Sequence, residues 1–129
     1  MRARGQLKIL LIDDESDIRR IARLSLTRLG GMETLDADNG PDGIRKAEAE
    51  RPDAILLDVM LPGMDGPAIL AVLRQNPATA HIPVIFLTGK GTPADVDRLT
   101  ALGAAGVLPK PFDPAALPDQ VRRLLASKP

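Results

Sequence analysis

The segment K-I-L-L-I-D-D-E-S-D-I-R-R-I-A-R-L, residues 8–24, runs a short aliphatic stretch directly into two adjacent carboxylates, Asp13 and Asp14. Ile9, Leu10, Leu11 and Ile12 show no polar alternation, which marks a strand covered on both faces. A buried strand that ends in doubled negative charge is unfavourable, because neighbouring anions repel and lose hydration. Either the two acids stand in open solvent at a turn, or something positive is held there. The pattern then changes period. Ile18, Ile21, Ala22, Leu26 and Leu29 recur at helical spacing, and Gly30 and Gly31 close the run.

The same strand-then-helix unit recurs along the chain. Further strands read at 33–37, 54–57, 84–87 and 106–108, after the first at 7–12. Helical segments fill the gaps. D-G-P-A-I-L-A-V-L-R-Q-N-P opens on Asp65 as cap, takes Pro67 in its first turn and stops before Pro77. T-P-A-D-V-D-R-L-T-A-L-G has Thr92 as cap, Pro93 at its first position and Gly103 past its end. P-D-G-I-R-K-A-E-A-E-R-P turns Ile44 and Ala47 inward and ends at Pro52; the last helix carries Leu117, Val121 and Leu124 in register. Strict alternation predicts parallel strands with helices on both faces. The near-continuous runs I-L-L-I, A-I-L-L and V-I-F-L belong in the middle, and the more polar E-T-L-D-A and G-V-L-P at the edges, where Pro109 has no ladder bond to lose. The order 2-1-3-4-5 satisfies this: an α/β, flavodoxin-like, doubly wound five-stranded parallel sheet. Ligands in such sheets bind beyond the carboxyl ends of the strands.

Composition narrows the function classes. The 129 residues, 44% hydrophobic, suit one domain with a sizeable core, so residues 1–129 are expected to form a single domain with no effector attached. Phe86 and Phe112 are the only aromatic side chains, so the core must be aliphatic. Seventeen basic and seventeen acidic residues balance, which argues against a nucleic-acid surface. No cysteine is present for thiol or disulfide chemistry, and a single histidine, His81, gives a zinc site no support. No segment has the length and apolarity of a signal peptide or a membrane span, and a soluble cytoplasmic protein is the expectation.

Chemistry-bearing residues collect at the carboxyl edge: Asp13 and Asp14 after the first strand, Asp58 after the third, Thr88 after the fourth and Lys110 after the fifth. The central strand ends converge, and three carboxylates facing one another without compensation are strongly unfavourable. A hard divalent cation resolves the conflict; Mg²⁺ suits few carboxylates, a carbonyl and retained waters, and Mn²⁺ could substitute. Lys110 adds a mobile positive charge and Thr88 a hydroxyl donor. Together they form a receptor for a phosphoryl group, with one carboxylate as the nucleophile of an acyl phosphate.

L-L-I-D-D-E-S, A-I-L-L-D-V-M-L-P-G-M-D-G, V-I-F-L-T-G-K-G and L-P-K-P-F-D-P resemble the receiver domain of bacterial two-component response regulators, over essentially the whole chain. The resemblance implies that Asp58 is the phosphoacceptor. It makes Asp14 a direct Mg²⁺ ligand, Asp13 one acting largely through water, and Asp58 and the Met60 carbonyl the remaining protein ligands. Thr88 is then the hydroxyl that moves onto the phosphoryl group and Lys110 the ammonium that pairs with it, while Met60 and Gly89 offer backbone amides. A cis Lys110–Pro111 bond is implied as well. So is a function: a phosphorelay module that takes a phosphoryl group from a histidine kinase or phosphotransfer protein and signals to a downstream protein, with self-phosphorylation and self-dephosphorylation its only catalysis.

Several residues admit plainer accounts. Met60 and Met64 read as loop packing, since a hard oxygen site has no use for thioethers. Glu15 reads as solvated at the first turn of the first helix, where the macrodipole favours it. Arg19, Arg20 and Arg23 read as a docking patch for a kinase or phosphotransfer bundle, with at least one of them plain solvated surface. Two departures from the family stand out. Val107 occupies the position three before the lysine where receivers commonly carry Tyr or Phe, so the aromatic half of the usual switch is missing. Pro118 lies too deep in a helix capped by Asp113, so that helix either begins near Pro118 after an irregular turn or is kinked there. Alternative functions are a receiver fragment of a larger response regulator or hybrid kinase, an aspartyl-phosphate phosphatase of the haloacid dehalogenase type, and a flavin carrier. The phosphatase wants a second Asp where Met60 stands, and the Asp-Asp-Glu run would repel a flavin phosphate.

Overall fold

The computed structural model describes residues 5–126. The charged start at residues 1–4 and the last three residues, 127–129, lie outside the described residues. Five strands and five α-helices alternate: β1 (Lys8–Ile12), α1 (Ser16–Leu24), β2 (Glu33–Ala37), α2 (Gly40–Glu50), β3 (Ala54–Asp58), α3 (Gly66–Gln75), β4 (Val84–Thr88), α4 (Pro93–Ala101), β5 (Gly106–Pro109) and α5 (Leu117–Ala126). All pairings are parallel and the order is β2-β1-β3-β4-β5, as the apolar runs predict.

Period-two alternation divides the core into two layers. Leu10, Ile12, Ile55, Leu57, Val84 and Phe86 face α2, α3 and α4 through Ala47, Ile69, Leu73 and Leu99. Ile9, Leu11, Leu56, Ile85 and Leu87 face α1, the turn that follows it and α5, through Ala22, Leu26, Leu117 and Val121. β3 and β4 are buried at every position, including their last residues, Asp58 and Thr88. These two residues therefore do not follow their strands, as the sequence reading has it, but terminate them: the ladder continues through Asp58 against Leu87 and Thr88 against Pro109.

The helix starts are capped where side chains allow. Asp65 and Thr92 accept from the amides of Ala68 and Asp95, and Asn39, not singled out in the sequence, accepts from Asp42. α2 ends at Arg51, which adopts a left-handed φ of 46° just before Pro52. Pro118 is accommodated by a late start. Residues 114–116 form a turn, the amides of Ala116 and Leu117 both donate to the Asp113 carbonyl, and α5 begins at Leu117, so Pro118 sits in its first turn and no kink is needed.

The largest departure from the sequence reading lies at the end of the first helix. A π turn spans Ser25–Leu29, in which the Gly30 amide donates to the Ser25 carbonyl five residues back, at 3.2 Å. The Ser25 hydroxyl is drawn instead to the Pro114 carbonyl, at 2.5 Å. The wider turn brings Gly30 against α5, where a Cβ would lie 2.9 Å from Pro118 Cβ and 2.7 Å from the Leu26 carbonyl oxygen. Leu29 is thereby turned out and is 64% exposed, and Ile21 is also largely exposed, so neither contributes to the buried face assigned to it.

Candidate functional site

β1 and β3 are neighbours, so Asp13 and Asp14 just past β1 meet Asp58 at the tip of β3. One carboxylate oxygen from each lies within 4.8 Å of the others. Asp13 and Asp58 are buried, and Asp14 is exposed at the mouth. Each buried acid is held by its own local chain. The Glu15 amide donates to Asp13 Oδ1 at 2.9 Å, and the Met60 amide donates to Asp58 Oδ1 at 3.2 Å. Arg19 steadies the backbone behind them by donating to the Asp13 carbonyl at 2.9 Å while its Nε pairs with Asp36 at 3.2 Å.

Lys110 reaches the acids from just past the end of β5. Its Nζ lies 2.9 Å from Asp13 Oδ2, 3.1 Å from Glu15 Oε1 and 3.4 Å from Asp58 Oδ2. The Lys110 amide donates to the Thr88 carbonyl at 2.8 Å, and the Lys110–Pro111 bond is cis. Glu15 thus does more than sit at a helix start: although largely exposed, it is a third anchor for the lysine. Burial alone would lower the Lys110 pKa. The hydrogen bond and charge of Asp13 oppose it, joined by Glu15 and the Asp58 charge, and they hold the ammonium well above its ordinary value.

Asp58 goes the other way. Loss of hydration and then the Asp13 charge raise its pKa, and Lys110 and the Met60 amide only partly offset them. One ammonium does not balance three clustered carboxylates, and the donors are all hard oxygens, which is the donor chemistry of a small divalent cation. The site fits Mg²⁺ on that ground. Asp14 and Met60 line an adjoining cleft of about 720 Å³ with Leu61, Pro62, Met64 and Asp65. Met60 is 72% exposed there, so its side chain is not loop packing, whereas Met64 packs against the core.

Thr88 is buried at the tip of β4. Its hydroxyl accepts from the Lys90 amide at 3.0 Å and has two acceptors within reach, the Lys90 carbonyl at 3.2 Å and Asp95 Oδ2 at 3.3 Å. Asp95 is a site residue absent from the sequence reading; it lies in the first turn of α4 and pairs with Arg98 at 2.8 Å. A Cβ on Gly89 would meet nothing within 4 Å, so space beside Thr88 is open. The structure therefore clusters the carboxylates of Asp13, Asp14 and Asp58, brings Lys110 onto Asp13 and Asp58, and sets Met60, Thr88 and Gly89 at the neighbouring strand ends. His81 is exposed and remote from this chemistry.

Comparison with known proteins gives a consistent picture. A family model described as "Response regulator receiver domain" matches residues 9–122. The alkaline phosphatase synthesis transcriptional regulatory protein PhoP of Bacillus subtilis is 37% identical over 118 residues, covering 92% of this chain and 48% of that protein. The response regulator PleD of Caulobacter vibrioides is 39% identical over 126 residues, covering 94% of this chain and 26% of PleD. The chain spans about half the length, or less, of these curated relatives. Among solved structures, the chemotaxis response regulator CheY4 of Vibrio cholerae superposes with a TM-score of 0.86 at 31% identity, covering 93% of this chain and 99% of that one. The Francisella response regulator 1452 receiver domain gives 0.84 at 26% identity, covering 94% and 98%.

Proposed function

This chain belongs to the response regulator receiver domain family, and from that membership we propose that it accepts a phosphoryl group on Asp58 in a Mg²⁺-dependent reaction and signals by altered protein contact. The observation that carries the reading is the cluster itself: three carboxylates within 4.8 Å of one another, with Lys110 reaching both buried members. Asp14 and Asp58 would hold the ion directly, with the Met60 carbonyl, and Asp13 largely through water. When bound, the ion supplies charge neutralisation to the oxygens of the transferring group.

The chain's own residues do the rest. An Asp58 carboxylate oxygen forms the new O–P bond while the P–N bond of a phosphohistidine donor breaks, its electron pair returning to the imidazole nitrogen, which then takes up a proton. Lys110 leaves none of its partners to assist. Its Nζ already lies among Asp13, Glu15 and Asp58, and a phosphoryl oxygen on Asp58 would enter the same donor field. The amides of Met60 and Gly89 add donors, and Thr88 supplies a hydroxyl.

A phosphodonor protein is best received beside α1. Ile21, Leu24 and Leu29 are exposed there in a groove of about 650 Å³, bordered by Arg20, Arg28 and Pro114. An acidic amphipathic helix suits that surface by shape and by charge. Of the three arginines read as a patch, Arg19 is committed to Asp36 and the Asp13 carbonyl, and Arg23 lies 3.9 Å from Asp36, which leaves Arg20 the member of the set without an ion pair among the described residues.

Incubation with a small phosphodonor such as acetyl phosphate and Mg²⁺, followed by intact-mass measurement, tests the reading. The wild type should gain the mass of one phosphoryl group, and Asp58→Asn should gain none, because an amide cannot form the acyl phosphate. Addition to Asp58→Asn would move the acceptor elsewhere.

A further inference from the structure

Thr88 does not stand idle beside the carboxylates. Its hydroxyl accepts from the Lys90 amide and spends its single proton on the α4 side of the loop, toward Asp95 Oδ2 or the Lys90 carbonyl. Asp95 is built to keep that bond. Thr92 caps the helix and accepts from the Asp95 amide, which fixes the residue in the first turn, and Arg98 grips its other oxygen at 2.8 Å. The Asp95 side chain is only 14% exposed. The Arg98 hydrogen bond, helped by the Arg98 charge, Thr88 and Lys90 and opposed by burial, keeps its carboxyl below the usual range, so it is an anionic acceptor at neutral pH.

We propose that Asp95 is a positioning residue that holds the Thr88 hydroxyl on the α4 side, so that a phosphoryl group on Asp58 must compete with the Asp95 carboxylate for one proton. This rests on the phosphoacceptor reading of Asp58. Both competitors are anionic, so both offer charge-assisted bonds and neither wins by a wide margin. The exchange has a mechanical consequence. Asp95 lies in the first turn of α4 and Thr92 caps it, so releasing Thr88 unties β4 from that turn, across a loop in which Gly89 and Gly91 can rearrange cheaply. The signal would then leave the site through α4, by a polar route that needs no aromatic side chain at Val107.

Beryllofluoride, a stand-in for the phosphoryl group, provides the test by titration in saturating Mg²⁺. Asp95→Ala should bind it roughly three- to tenfold tighter, the worth of one released hydrogen bond. Asp95→Asn, which keeps the shape and an acceptor oxygen but not the charge, should shift in the same direction by less, and it decides the matter if the alanine variant does not fold. Mg²⁺ affinity should be unchanged in both, since Asp95 is outside the carboxylate cluster. In a Thr88→Ala background the effect of Asp95→Ala should vanish, because the residue acts through that hydroxyl. Unchanged beryllofluoride affinity in both Asp95 variants, or an equal gain without Thr88, overturns the proposal while leaving Asp58 as acceptor. A wild type that takes up neither beryllofluoride nor phosphoryl mass overturns both readings together.

Discussion

Asp58 is a carboxylate placed where a carboxylate is least comfortable. Burial and the Asp13 charge raise its pKa above the ordinary 3.8. A raised acid pKa contributes stability that is present below the unfolded value and lost as pH rises through the folded one. Without metal, the ionised Asp58 is therefore a net cost at neutral pH. Asp58→Asn keeps the Met60 amide bond and removes the charge, and should raise metal-free stability by roughly 1 kcal/mol, or about 3–5 °C in Tm. The gain should fade toward about pH 3, where the wild-type carboxyl is protonated in both states; thermal melts at two pH values in chelator measure it. The five chemistry-bearing positions were legible in the sequence because each stands at the end of an apolar run and strand order brings those ends together. Glu15 and Asp95 were not. Glu15 pairs with a lysine 95 residues away, and Asp95 meets Thr88 only because the intervening loop folds back on itself, so neither contact has a sequence period to announce it.

Among the elements, α3 reaches the site through a close approach. α3 begins at Gly66, whose missing side chain lets the helix start against the end of β3: a Cβ there would lie 2.8 Å from the Asp58 carbonyl oxygen, 2.9 Å from Val59 Cα and 2.9 Å from the Phe86 ring. Two of those atoms are backbone and cannot turn aside. Gly66→Ala should cost about 1–3 kcal/mol, more than the helix propensity it gains, and should displace the Asp58 amide region. Urea melts and amide chemical shifts of residues 58–60 check both effects. Short aliphatic runs made the strands readable to within a residue, and caps such as Asp65 and Thr92 made two helix starts readable. The π turn was hidden because S-L-T-R-L has no breaker in it. What widens that turn is the Ser25 bond to Pro114 and the seating of Gly30 on Pro118, both supplied by chain some 90 residues distant.

At the scale of the molecule, the site is a repulsion that the fold contains and that a bound cation would relieve. Mg²⁺ that binds the native state alone should raise stability by about 1.4 kcal/mol at ten times its dissociation constant. Asp14→Ala should abolish that response while barely changing metal-free stability, since Asp14 is exposed. Calorimetry across a Mg²⁺ series measures both, and an unchanged transition in the wild type would remove the cation from the site. Among the described residues no helix is long and apolar enough to cross a membrane. Strand order was recoverable because burial dictates it: the chain puts its unbroken aliphatic runs in the middle and its polar or proline-bearing ones at the rim.

The ion pair between Lys110 and Asp13 joins residues 97 positions apart. Synthesis proceeds from the amino terminus, so a nascent chain that has emerged through Thr88 carries every acid of the cluster and none of the lysine. Its β5 edge is also missing, and the Thr88 carbonyl has no Lys110 amide to bind. Such a chain holds the clustered carboxylates without their counter-charge, and their mutual repulsion is left without the ammonium that opposes it. Because Lys110 stands just past β5, the charge balance of the cluster is completed only once that strand is in place.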